Sequence, residues 1–256
     1  SYAERTFTDQ RFLAIFVDGV DYAGEMMIVA LGVDDSGHKR VLGVRQGATE
    51  NAAVTTSLLE DLAERGISTA TPTLFVLDGA KALHAAVKRV WGDNAVIQRC
   101  QIHKKRNVDA HVPDRHKPEL ARRLHEAYTE KHFGTARTRL ESAVRWLEKL
   151  NHDAAASLSE GLEETLTVVR LGLGTTLRQT FASTNAIEST LKLVRQVTGR
   201  VTRWRDGDMR HRWCTAALLD AEKRFNRVKG YRQLATLAEA LESDVVKRNV
   251  RPSKLA

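Results

Sequence analysis

The chain has 256 residues, 42% hydrophobic and 28% charged, a balance that excludes global disorder and supports a core without covalent staples. Two cysteines, Cys100 and Cys214, exclude a disulfide framework, and no apolar run nears the ~20 residues of a membrane span. The net charge of +8, with a pI near 9.7, makes a polyanion the default partner, although a basic helical tail is equally a solvated face.

The elements follow in chain order. Residues 13–18 form an apolar run bounded by Gly19, residues 25–33 a second strand after a turn with Asp21 and Gly24, and residues 39–44 a third. Asp34-Asp-Ser-Gly37 is a hairpin signal, so the three predict an antiparallel meander. From Glu50 to Arg65 the spacing turns helical, with Val54, Leu58, Leu59 and Leu62 apolar and Gly66 closing the helix. Residues 73–78 read as a fourth strand, 80–91 as a helix and 95–100 as a fifth strand. Beyond Cys100 the strand signals mostly stop. Helical patterns cover about 101–111, 117–150 and 154–170, Gly172 and Gly174 mark a break, and further helices begin near Asn185 and fit 208–228 and 231–247. The order predicts an α/β half followed by a helical half. The amino terminus has neither a signal-peptide pattern nor a starting Met, so a soluble, intracellular chain, excised or processed, is expected.

The helix at 50–65 can serve as a right-handed crossover that lays the fourth strand parallel to the first. Asp18 and Asp78 then occupy equivalent places, each ending an apolar run and each preceding a Gly. Neighbouring strands lie about 4.8 Å apart, so the carboxylates would project side by side into the crevice where open α/β sheets bind ligands. Adjacent carboxylates repel unless a cation or shared proton intervenes, and hard oxygen donors suit Mg2+ or Mn2+. Asp-Gly is also ordinary turn chemistry, which keeps a pair of turns as the competing reading. Glu188 is the candidate third acid. Asn185, three residues before it, offers a capping box instead, in which the Glu reaches back to the helix start.

Five motifs carry a resemblance: Val17-Asp-Gly19; Val41-Leu-Gly-Val44 with Gly47-Ala-Thr-Glu-Asn51; Asp78-Gly79; Gln98-Arg-Cys-Gln-Ile-His103 with Arg106-Asn107; and Thr184-Asn-Ala-Ile-Glu188. In this order, over nearly the whole chain, the sequence resembles the mutator-type bacterial insertion-sequence transposases. Their separations fit too, 60 residues from Asp18 to Asp78 and 110 from Asp78 to Glu188. The resemblance implies an α/β, ribonuclease-H-like fold: a mixed five-stranded sheet with flanking helices, interrupted by an all-helical insertion, with a helical C-terminal region. It divides the chain into a core at 1–110, the insertion at 111–181, and the Glu-bearing helix with a basic C-terminal region at 182–256. Asp18, Asp78 and Glu188 match the family's Asp-Asp-Glu triad. That implies DNA strand cleavage and strand transfer dependent on two Mg2+ (or Mn2+) ions. The implied partner is double-stranded DNA, as terminal inverted repeats and target, bound by a homodimer in the bacterial cytoplasm at the nucleoid, with no membrane. A catalytically silent DNA-binding or regulatory fragment is the competing reading. Family members carry an N-terminal region that recognises the terminal repeats, and it is expected to be missing here.

Cys100 and His103 form a Cys-x-x-His element, half of a zinc site at most unless His111 and His116 contribute. Packing at a strand end is the plain alternative, and the resemblance implies support of the active site or of DNA. For DNA contacts, Arg99, Lys104, Lys105 and Arg106 lie close to the expected crevice. The charge is densest downstream: residues 189–256 hold 16 Lys and Arg against 7 Asp and Glu, while residues 1–98 hold 9 against 13. Arg195, Arg200, Arg203, Arg205, Arg210 and Arg212, interleaved with Trp204 and Trp213, suit phosphates and splayed bases, although the tryptophans fit a core equally well.

Overall fold

The computed structural model describes residues 5–48, 51–199, 201 and 203–250. Strands β1 (Phe12–Tyr22), β2 (Glu25–Asp34) and β3 (Lys39–Gln46) form the meander. Helix α1 (Ala52–Glu64) crosses over to β4 (Thr73–Leu77), and α2 (Lys81–Trp91) leads to β5 (Ala95–Arg99). The sheet order is β3-β2-β1-β4-β5, antiparallel among the first three and parallel across β1, β4 and β5. This is the mixed five-stranded sheet of a ribonuclease-H-like fold.

Period-two alternation gives each strand two buried faces. Ile15, Val17, Ile28, Phe75, Leu77 and Ile97 pack with Leu58, Leu59 and Leu62 of α1 and Leu83 and Val87 of α2. Phe16, Val29, Leu31, Val76 and Val96 face a larger cluster shared with the helices that follow. Those are α3 (Gln101–Asp109), α4 (Lys117–Tyr128), α5 (Phe133–Glu148), α6 (His152–Ser159), α7 (Thr167–Arg170), α8 (Thr175–Phe181), α9 (Asn185–Thr198), α10 (Gly207–Glu222) and α11 (Leu234–Val250). The helical half therefore closes one face of the sheet. Among the described residues no helix is long and apolar enough to cross a membrane.

Several boundaries differ from the sequence expectation. β1 runs four residues past Asp18, because Gly19, Val20, Asp21 and Tyr22 pair with Ile28, Met27, Met26 and Glu25. The turn is correspondingly tight, at Ala23 (φ 55°) and Gly24 (φ 81°). Helix α1 starts after Asn51, whose side chain accepts from Ala53 and Val54 N–H, and Glu50 lies outside the described residues. The expected 117–150 helix is two helices, α4 and α5, packed as a hairpin. The 154–170 helix breaks at Gly161 (φ 60°), where the Arg99 side chain occupies the space a Cβ would need. Helix α8 had no sequence counterpart, and α10 ends at Glu222 rather than 228.

Candidate active site

The parallel register of β1 and β4 pairs Val17 with Leu77, so the next residues, Asp18 and Asp78, are neighbours. Asp18 sits on the face of Phe16 and Asp78 on that of Val76, the face covered by the later helices. Asp18 is 3% exposed. Burial lifts its carboxyl to about 6 and the Asp78 charge adds to the lift; the Thr184 hydroxyl, His103 and the Gly19 N–H oppose it. Asp78 is half-buried, and its Oδ1 accepts from Ala80 N–H at 2.9 Å, ahead of α2. The turn role weighed against this residue is therefore real, and it coexists with the pairing to Asp18.

Cys100 lies between β5 and α3 and is the N-cap of α3. Its N–H donates to Leu77 O at 2.7 Å, and its Sγ accepts from the N–H groups of His103 and Thr184, each at 3.5 Å. The Thr184 hydroxyl lies 3.6 Å from that sulfur and 3.5 Å from His103 Nδ1. Burial pushes the thiol up, but the bonds from His103 and Thr184 outweigh it and leave the thiol below its ordinary range. The bond to Cys100 raises His103 to about 9, helped by the Asp18 charge and opposed by burial and Arg106. Cys100, His103, Thr184 and Asp18 thus form one connected node. Thr184 opens the fifth motif of the sequence, but sequence reasoning gave it no role of its own.

Thr184 is the residue from which α9 starts, and no side chain caps that helix. The capping box expected of Asn185 and Glu188 is therefore not formed: Asn185 is already helical. Glu188 is exposed, four residues beyond Thr184, about 6 Å along the axis. Among the described residues no three Asp, Glu, His or Cys side chains form a group able to hold a metal ion, so Glu188 does not join the aspartates in one.

The basic candidates divide. Arg99 and Lys104 do not meet the phosphate-binding expectation, because both are buried. Arg99 Nε donates to Glu164 at 2.6 Å, with Glu160 3.7 Å from the guanidinium, and His84 holds the other Glu164 oxygen at 2.8 Å. Lys104 Nζ donates to Ser157 O at 2.5 Å and Glu160 O at 2.8 Å, and burial lowers it to about 8. Gln98 and Gln101 also bond Thr165 O. The run from Gln98 to Lys104 therefore fastens the edge strand to the helical half. Lys105 is half-buried and paired with Asp109, while Arg106 is exposed. Asn107 lies against Gly79.

Farther along, Arg195 donates to Asp21 O at 3.0 Å, and Arg210 pairs with Glu25 at 3.1 Å. Arg203, Arg205 and Arg212 are exposed, and Arg200 lies outside the described residues. The two tryptophans divide as well. Trp204 packs edge-on against Tyr22, ring centroids 5.5 Å apart, whereas Trp213 is 42% exposed.

The family model described as Transposase, Mutator family matches residues 2–227. The chain is 30% identical over 174 residues to the transposase for insertion sequence element IST2 of Acidithiobacillus ferrooxidans, covering 68% of this chain and 57% of that protein. It is 26% identical over 254 residues to the transposase for IS905 of Lactococcus lactis, covering 94% and 62%. With the transposase for IS6120 of Mycolicibacterium smegmatis it shares 26% over 201 residues, 76% of this chain and 61% of the relative. It spans about three fifths of the length of these relatives. With the family model matched across most of its length, the chain belongs to the Mutator family of transposases.

Proposed function

We propose that this chain is the catalytic part of an insertion-sequence transposase, cutting DNA strands at the element's ends and joining them to target DNA. The observation that carries the reading is the β1–β4 register, which ends its parallel pairing at Val17 and Leu77 and so makes the next residues, Asp18 and Asp78, neighbours. Asp18 is a buried carboxylate whose pKa burial lifts to about 6, with the neighbouring Asp78 charge adding to the lift. Two such hard-oxygen donors fit Mg2+ or Mn2+. When bound, such ions polarise phosphate oxygens and activate a water or a 3′-hydroxyl.

The residues of the chain have three jobs. Asp18 and Asp78 hold the charge at the reacting phosphate. Thr184 fixes the Asp18 carboxylate and, with Cys100 and His103, the start of α9. Glu188, exposed on the first turn of α9, is the third acid.

Asp18→Asn, Asp78→Asn and Glu188→Gln are each expected to lower Mg2+- or Mn2+-dependent nicking of terminal-repeat DNA at least about 100-fold. Wild-type-like nicking by any one of them removes that residue from the triad. A chain that binds the DNA and leaves it intact with either metal is the silent regulatory fragment instead.

A further inference from the structure

The outer face of α10 carries a groove that the chemistry at Asp18 and Asp78 leaves unused. Arg205, Asp206, Met209, Arg212, Trp213 and Ala216 line an open cavity of about 510 Å3. These positions recur at helical spacing along one stripe, while Cys214, Ala217, Leu218 and Ala221 bury the opposite one. The solvent stripe nevertheless holds an indole that is 42% exposed.

The groove carries a net positive charge, two guanidiniums against one carboxylate. Its one acid, Asp206, is committed to the helix start, where its Oδ1 accepts from Met209 N–H at 2.7 Å. Arg205 and Arg212 have no carboxylate partner among the described residues, unlike Arg210, which Glu25 holds. An exposed aromatic platform between two free guanidiniums suits a nucleobase flanked by its phosphates, because every base has a face to stack whatever its sequence.

The groove is tied to the strand that carries Asp18 through the residue that precedes Arg205. Trp204, the residue before Arg205, packs on Tyr22. Tyr22 is four residues beyond Asp18 in β1, about 13 Å away at 3.3 Å per residue.

We propose that this groove takes one unpaired nucleobase of the bound DNA, stacked on Trp213 with Arg205 and Arg212 on the adjoining phosphates. The inference rests on the transposase reading and deepens it: the bound DNA is locally opened, and the groove at the start of α10 holds the displaced base.

The test is binding in EDTA, so that catalysis plays no part. The full chain is titrated with a fully paired terminal-repeat duplex and with the same duplex carrying a short mismatched bubble that contains 2-aminopurine. Trp213→Ala is expected to weaken bubble binding about 5- to 100-fold, to leave the paired duplex within about twofold, and to abolish quenching of the 2-aminopurine. Trp213→Phe restores most of both. Equal losses on the two DNAs, or no loss on either, overturn the proposal while leaving the transposase reading intact. A wild-type chain that binds neither DNA overturns both.

Discussion

Arg99 and Lys104 on one side, Arg205 and Arg212 on the other, are alike as residues and opposite in circumstance. The first two lie inside, neutralised by Glu164 or spent on the carbonyls of Ser157 and Glu160. The second two stand in solvent, Arg205 just before α10 and Arg212 on it, beside an exposed Trp213. The partners of the first pair come from more than fifty residues downstream, so their neutralisation is a tertiary event that local charge density cannot reveal. A basic cluster therefore marks a nucleic-acid surface only where the fold brings no acids or carbonyls to it. The inner pair acts as a fastening between the sheet edge and the helical half, and the outer pair is left for a polyanion.

The sharpest way to break this contrast is to remove a fastening. Arg99→Ala leaves the half-buried Glu164 with His84 alone and is expected to cost about 1–3 kcal/mol in chemical denaturation, the cost of one lost charge-assisted bond. The salt dependence of DNA binding by the folded variant should stay as in the wild type. Lost DNA affinity at unchanged stability would move Arg99 to the outer class.

Lys104 gives a comparable effect with a pH signature. Burial holds its amine at about 8 in the folded chain, below the ordinary 10.5. Between those values the unfolded chain keeps a proton that the folded chain has released. This group therefore adds stability as pH rises through that window, and the gain is lost again as pH falls to about 8. The stability of the wild type minus that of Lys104→Met should rise by roughly 2–3 kcal/mol from pH 8 to pH 10.5. A flat difference would show that the amine is solvated and able to meet a phosphate.

The same contrast explains what was legible in the sequence. Strand alternation, the Asp34–Gly37 turn and the crossover helix are local patterns, and they led to the sheet and to the pairing of Asp18 with Asp78. The last four residues of β1 were hidden because polar Asp21 and flexible Gly19 interrupt the apolar run, while backbone pairing to β2 carries the strand through them. Thr184 was hidden because what distinguishes it is Cys100, 84 residues upstream. The Gln98–Lys104 run stood out in the sequence, yet its two cations, Arg99 and Lys104, face a carboxylate and helix-end carbonyls that no spacing rule ties to them. Glu188 has the residue type and chain position of a third acid, but its distance from the aspartates is set by how α9 docks, which is a matter of packing.

Arg205→Ala and Arg212→Ala test the outer class, and their effect on folding is the smallest. Neither guanidinium has a carboxylate partner among the described residues, and the buried stripe of α10 lies on the far side of the helix. Each substitution should therefore change stability by less than about 0.5 kcal/mol. On DNA each should lower the slope of log affinity against log salt by about 0.9, the value for one lost phosphate contact on a duplex. The double variant should lower it by about twice that, since two separate contacts release their counterions independently. An unchanged slope in both single variants would mean that α10 does not touch the backbone, and the division into fastening and contact cations would then have to be redrawn around Arg106 and Arg203, which are also exposed.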